Sequence, residues 1–304
     1  MSQSSQPPSG DQEGIADFVS IIVPIYNGED GVGHLLEALA AQDYPPGRFE
    51  IIIVDNGSSD RTMAMVEAFA EANAGLPLRL ATEHEHRGSY AARNKGVATA
   101  KGPILAFTDA DCRPVPTWLS AGVEAMHRNG VDQVAGAIEF LFANDPPNAW
   151  ELLDSTVHLR QDLYVRDNAF GATANLFVRA EALAKVGGFR QNLQSGGDFE
   201  FGQRMKGAGF TIAYSPEALI RHSARASHDE IATKVRRVAA GLNTLTTEGL
   251  IQPIALKDLK PRRRAPESPR VASLGVVRHA VLIVLINYFH YMRVHARLQG
   301  SRRS

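Results

Sequence analysis

Through residues 19–111, short apolar runs alternate with segments whose apolar residues recur at helical spacing. Val19–Ile25 (VSIIVPI) and Phe49–Val54 (FEIIIV) are almost unbroken runs of apolar, mostly β-branched residues, the pattern of strands buried on both faces. Residues 32–41 read as a helix, and a second helix runs through Ala72 with Ser59 as its candidate N-cap. A weaker strand at 76–81, a helix at 88–100 and a strand at 103–107 complete the series. Strand and helix alternating at this spacing predict βαβ units and a parallel sheet with right-handed crossovers. Beyond residue 111 the order becomes mixed. A helix at 116–128 precedes a strand at 133–140, an irregular or helical stretch at 145–167 and a strand at 174–178. Helices near Glu181 and at 199–208, a strand at 210–214 and a helix at 228–245 follow. The fold class is therefore α/β, a Rossmann-like mixed sheet, mostly parallel and flanked by helices.

In such a sheet ligands collect beyond the carboxyl ends of the strands. Polar clusters stand at three of those ends: Tyr26, Asn27 and Glu29 after the first strand, Asp55, Asn56 and Ser58 after the second, and Asp109-Ala110-Asp111 after the fourth. Each cluster alone is equally a turn, because Asp, Asn and Gly satisfy turn geometry. On one sheet edge they converge into a nucleotide pocket. Two carboxylates one residue apart there offer oxygen ligands to a hard divalent cation and to the phosphates it bridges. Arg87, Arg93 and Asn94, at the start of a helix, suit a diphosphate. Arg93 and Asn94 are consecutive in that helix, so they cannot both face one ligand.

These pieces also carry a resemblance. VSIIVPIYN (19–27), IIIVDNGSSDRT (51–62), RGSYAARNKG (87–96), ILAFTDADC (104–112), NLFVRAEALAKVGGF (175–189) and GGDFEFGQRMKGAGF (196–210) resemble the family 2 glycosyltransferases of the GT-A fold. Their number, order and spacing over residues 19–222 make the likeness specific. The resemblance implies an inverting enzyme that takes sugar from a nucleotide-diphosphate donor, a UDP-sugar by expectation, and needs Mn²⁺ or Mg²⁺. It implies that Pro24, Asn27 and Glu29 border the nucleotide base and that Asp55 contacts uracil or ribose. Asp109 and Asp111 resemble the metal-binding pair, with Asp111 the more direct ligand and Asp109 turned to the nucleotide. Asp198 resembles the catalytic base, and His222 resembles a histidine that completes the metal site in some relatives. Gly197 departs from the pattern, standing where a Glu is common. Trp118 could stack on an acceptor sugar or serve as core, Glu200 could position the acceptor, and Arg204 reads as an i,i+4 partner of Glu200.

Other classes fit less well. A sugar-phosphate nucleotidyltransferase would open with a Gly-rich basic loop after the first strand, and a haloacid-dehalogenase-type phosphatase would carry its Asp-x-Asp there. A non-catalytic sugar-nucleotide-binding or membrane-scaffold protein with a degenerate site stays as the alternative, on the strength of Gly197.

The ends of the chain differ from its body. Residues 1–17, rich in Ser, Gln, Pro and Gly, read as a disordered leader and not as a signal peptide. Residues 18–250 form the transferase domain, and 251–304 a basic linker with an amphipathic helix. Residues 257–304 hold 11 Lys/Arg against two acids, a net of +9, which leaves −10 on residues 1–256 of a total of −1. A basic tail on an acidic body points to an anionic partner. The apolar segment 276–292 is short of the roughly 20 residues a spanning helix needs. It reads as an interfacial helix with Tyr288, Phe289 and Tyr291 as anchors and Arg293, Arg297, Arg302 and Arg303 at the head groups, or as a helix docked on the body. The basic residues flank an apolar helix instead of forming a solvated stripe, which argues against nucleic acid. The lone cysteine, Cys112, excludes an intramolecular disulfide framework and fits a reducing compartment. The expected setting is cytoplasmic and peripheral on the inner membrane face, with a glycan or lipid-linked acceptor.

Overall fold

The computed structural model describes residues 16–266 and 269–300. Strands β1 (Val19–Ile25), β2 (Phe49–Asp55), β3 (Leu78–Thr82) and β4 (Ile104–Thr108) alternate with helices α1 (Val32–Ala40), α2 (Thr62–Ala72) and α3 (Ser89–Thr99). Then come β5 (Cys112–Pro114), α4 (Trp118–Asn129), β6 (Gln133–Leu141), α5 (Ala149–Val157), α6 (Gln161–Asn168) and β7 (Asn175–Arg179). Helices α7 (Ala180–Val186) and α8 (Gly197–Gly207), strand β8 (Ile212–Ser223) and helix α9 (His228–Thr247) complete the body. A 3-10 turn at Leu256–Leu259, a short α10 (Pro269–Ala272) and a long α11 (Val276–Gly300) follow.

The eight strands form one sheet in the order β3-β2-β1-β4-β7-β6-β8-β5. β3, β2, β1 and β4 are parallel, and β7 runs antiparallel between β4 and β6. β8 is parallel to β6, and β5 closes the edge antiparallel to β8. Every residue of β1 and β2 is buried, because helices cover both faces. Alternate residues along a strand point to opposite faces. Ile21, Val23, Ile51 and Ile53 accordingly pack with Leu35 and Leu39 of α1, while Ile22, Ile52 and Val54 pack with Tyr90 and Ala92 of α3. Gly96 allows that second contact, since a Cβ there would lie 2.5 Å from Ile22. The polar interruptions of the apolar runs also find partners. Ser20 donates to Glu50 at 2.7 Å, and Arg79 meets the other Glu50 oxygen at 2.6 Å.

Within the body, four elements differ from the sequence reading. Ser59 does not cap α2. Its N–H donates to Asn27, and the Asp60 carboxylate takes the Thr62 N–H at 3.0 Å instead. The strand expected at 210–214 extends to Ser223, with Glu217 and Arg221 exposed while Ser215 and His222 are buried. β5 was too short to leave a periodic signal. The expected leader, 1–17, lies mostly outside the described residues, but Ala16 and Asp17 are held: Asp17 carbonyl accepts from Tyr44 at 2.7 Å, and Ala16 carbonyl from Arg48.

Helix α11 docks on the body. Leu282 and Phe289 join Ile231, Val235 and Leu153 in a third apolar cluster built on α5, α9 and α11. Phe289 is therefore core and not a membrane anchor. Arg293 and Arg297 are partly buried and turned toward the body, with Arg297 donating to Thr246 at 2.9 Å, so neither is spread on an outer helix face toward a membrane surface. Arg302 and Arg303 lie outside the described residues. No helix among the described residues is long and apolar enough to cross a membrane.

Candidate active site

The loops after β1, β2 and β3 are stitched together by their own polar side chains. Asn27, in the left-handed region at φ 47°, receives the Ser59 N–H at 2.8 Å, and its own N–H donates to Ser58 Oγ at 3.0 Å. Glu29 accepts from Arg61 Nε at 3.1 Å. Asp55 accepts the Gly57 and Ser58 N–H groups, each at 3.1 Å. Asn56 donates to the carbonyls of Glu83 and His86 and accepts the Gly88 N–H at 2.6 Å, which fixes the start of α3. Pro24 is buried in β1, and Tyr26 lies exposed beneath Arg87, whose guanidinium sits 5.8 Å from the ring centroid. Asn94 points elsewhere: its amide bonds both the N–H and the carbonyl of Phe189, so it is structural and not a donor ligand.

At the end of β4 the acids separate in role. Arg93, only 3% exposed, reaches Asp109 Oδ1 at 2.5 Å and lies over the Tyr90 ring. Burial opposes the Arg93 charge, but Asp109 and then Asp198 outweigh it and hold the guanidinium above its usual value. Asp198, at the first turn of α8, is half-buried and accepts from Thr173 Oγ1 at 2.8 Å. Burial pushes its carboxyl up, with Arg93 and Thr173 pulling the other way. A raised carboxylate beside a cation in a cleft is the signature of a tuned base. Gly197 has its own steric reason: a Cβ would meet the Tyr90 ring at 2.6 Å, so no larger residue fits.

Asp111 is exposed, and His222 Nε2 lies 3.3 Å from its Oδ2. The register Cys112↔His222 of the β5–β8 pair makes this contact. His222 Nδ1 stands 2.7 Å from the Ser223 carbonyl, an acceptor only, so Nδ1 carries a proton and the ring is held with Nε2 facing Asp111. Among the described residues, Asp111, Cys112 and His222 are the group able to gather on an ion. The Cys112 thiol is fully enclosed, and burial holds it well above its usual value. A carboxylate with an imidazole suits Mn²⁺ well and Mg²⁺ less. Asp109 stands outside this group, because its oxygen is engaged by Arg93.

Asp109, Asp198, His222 and Arg93 share one cavity of about 180 Å³. Its remaining wall holds Arg225, Lys234 and Arg237, which the sequence reading did not single out. Arg225 and Lys234 flank the fully buried Asp154 at 3.2 and 3.3 Å, and His158 meets it at 2.6 Å. Nothing in the sequence marks this cluster, because its members lie 71 and 80 residues apart. Thr173, also missed, is a plain loop residue until it meets Asp198. The acceptor candidates fall away. Trp118 is fully buried against Phe177, with its indole N–H on Asn175 at 2.8 Å, so it cannot stack on a sugar. Glu200 is buried between Arg190 and Arg204 at 2.8 and 2.7 Å and is structural, as is Arg204.

A mostly parallel sheet with acids at the end of β4, an antiparallel return through β7 and a closing β8 that brings a histidine to those acids defines a GT-A glycosyltransferase. Comparison with known proteins agrees. The family described as "Glycosyl transferase family 2" matches residues 20–187, and "Glycosyl transferase family group 2" matches 104–298. Glycosyltransferase AglE of Haloferax volcanii is 37% identical over 224 residues, 74% of this chain and 72% of that protein. A dodecaprenyl-phosphate galacturonate synthase of Rhizobium johnstonii is 32% identical over 138 residues, 45% of this chain and 40% of its own. The mannosyltransferase PcManGT of Pyrobaculum calidifontis, solved with GDP-Man and Mn²⁺, superposes with a TM-score of 0.62 at 21% identity, covering 96% of this chain and 77% of that one. The chain belongs to glycosyl transferase family 2 and is a glycosyltransferase.

Proposed function

We propose that the protein transfers a sugar, with inversion, from a nucleoside-diphosphate donor of the UDP-sugar type to a hydroxyl of a lipid-linked or envelope glycan. The observation that carries this reading is the meeting of Asp198, Arg93, Asp109 and His222 in one cavity beside Asp111. The donor nucleotide lies against Pro24, Tyr26, Asn27, Glu29 and Asp55, with Arg87 and Arg93 toward its phosphates. Asp111 and His222 would hold the divalent cation, which when bound neutralises charge on the leaving diphosphate. Asp198 takes the proton from the acceptor hydroxyl as it attacks the sugar from the face opposite the leaving group. Its raised carboxyl favours that role, because a stronger base removes the proton further along. Arg93 opposes the rise of the Asp198 carboxyl and fixes Asp109.

PcManGT with GDP-Man and Mn²⁺ supports a nucleotide-sugar donor and a metal, and the galacturonate synthase, by its name, supports a lipid-linked acceptor. The exposed stripe Val277, Val281, Val284 and Tyr288 on the outer face of α11 supports contact with an inner membrane surface. Donor choice is read by thermal shift with UDP-, GDP- and dTDP-sugars and Mn²⁺. Asp198→Asn is expected to lower turnover by a few orders of magnitude while donor binding survives, since base catalysis contributes about 10²–10⁴. Near-wild-type turnover in that variant excludes Asp198 as the base.

A further inference from the structure

Two cavities meet beneath α11, and neither includes Asp109, Asp111 or Asp198. The first, about 440 Å³, has an apolar wall that includes Leu153, Ile231, Val235, Ile286 and Phe289, with His158, Arg160 and Arg264 among its polar lining. The second, about 530 Å³, is lined by Lys257, Lys260, Arg262, Arg293 and Arg297, with Asp258 as the one carboxylate in its wall. Arg262, His290 and Arg293 line both cavities and mark the junction.

That junction is electrostatically uncompensated. Arg293 is largely enclosed, and burial, Arg262 and Arg297 all press its guanidinium toward the neutral form. No carboxylate among the described residues stands in ion-pair range of it. His290 donates Nε2–H to the Asp258 carbonyl at 2.8 Å and is more than nine-tenths buried, which leaves its Nδ1 a buried acceptor without a partner. Arg297 Nε, in the wall of the second cavity, is a buried donor without an acceptor, as is Nη1 of Arg160 in the first, whose other nitrogens pair with Asp162. Buried donors without partners cost stability, and like charges held together cost more. An anion at the junction offsets the like charges of Arg262 and Arg293. Arginine forks match phosphate oxygens, and the first cavity has the size and apolar lining of a ligand site.

We propose that the joined cavities bind a single-chain lipid phosphate. Its phosphate lies between Arg262 and Arg293, and its hydrocarbon chain lies along Val235, Ile286 and Phe289. A nucleotide or inorganic phosphate would leave the apolar cavity unfilled, and a neutral lipid would leave the cations uncompensated. The site is independent of the transfer chemistry.

The test is calorimetry on the full chain with neither donor nor metal present, so that its outcome is separate from that of the transferase reading. Dodecyl phosphate below its micellar concentration is titrated beside inorganic phosphate. Dodecyl phosphate is expected to bind saturably and inorganic phosphate at least tenfold more weakly. Arg293→Met is expected to weaken dodecyl phosphate by about tenfold or more, the scale of one charge-assisted hydrogen bond. Ile286→Gln is expected to weaken dodecyl phosphate and leave inorganic phosphate unchanged. Without ligand, Arg293→Met melts no lower than wild type, because Arg293 sits among like charges. Equal affinity of wild type and Arg293→Met for dodecyl phosphate overturns the proposal. So does inorganic phosphate binding as tightly, or a lower melting temperature of ligand-free Arg293→Met.

Discussion

Replacing Arg93 by Met tests the electrostatic frame of the site. The guanidinium is enclosed, and it is the chief counter-charge of both Asp109 and Asp198. Removing one partner of a buried pair costs about 3–5 kcal/mol, most of it from the carboxylate left behind. The Asp109 side chain is 32% exposed, so water recovers part of that charge and the low end, about 3 kcal/mol, applies. Equilibrium urea unfolding at neutral pH reads this loss. The second consequence is kinetic. Burial already raises Asp198, and Arg93 is the largest influence holding it down. Without Arg93 the carboxyl rises further, so the base is protonated over more of the acidic range. The acidic limb of kcat/KM against pH therefore moves to higher pH in Arg93→Met, and moves back in Arg93→Lys, which restores the charge. An acidic limb that stays in place in Arg93→Met refutes the coupling between Arg93 and Asp198.

Three further outcomes follow from the same geometry. Asp111→Ala and His222→Ala are each expected to abolish the Mn²⁺-dependent part of donor binding; a donor titration with and without Mn²⁺ checks this, and an unchanged metal effect in both removes them as ligands. Lys234, pushed down to about 7 by burial and by Arg225, releases its proton in the folded protein at a pH where the unfolded chain, near 10.5, still binds it. The unfolded state then holds more protons, so stability rises with pH across that window, and urea midpoints at pH 7, 8 and 9 should climb in wild type but not in Lys234→Met. Trp118→Ala should cost about 3–5 kcal/mol as a large core truncation and leave the acceptor KM unchanged, whereas a KM effect at full stability would return Trp118 to the acceptor site.

The sequence alone determined the first half of the sheet, because a strand buried on both faces has to be apolar along its whole length. VSIIVPI and FEIIIV meet that condition but for Ser20 and Glu50, which pair with each other. It also determined that Asp55, Asp109 and their neighbours share one edge, since parallel strands put their carboxyl ends together. Short or half-exposed elements left weaker traces: β5 has three residues, and most of β8 alternates with solvent. Side-chain roles were decided by tertiary contacts. Asn94 and Glu200 carry the right chemistry for ligands, yet Phe189 on one side and Arg190 with Arg204 on the other consume it. The pairing of β5 with β8 brings His222 to Asp111, a distance in sequence that no local pattern spans. Asp154 with Lys234, and Thr173 with Asp198, became visible for the same reason. Periodicity records which face of an element is buried, whereas the partner that meets a polar side chain is set by the packing of distant segments.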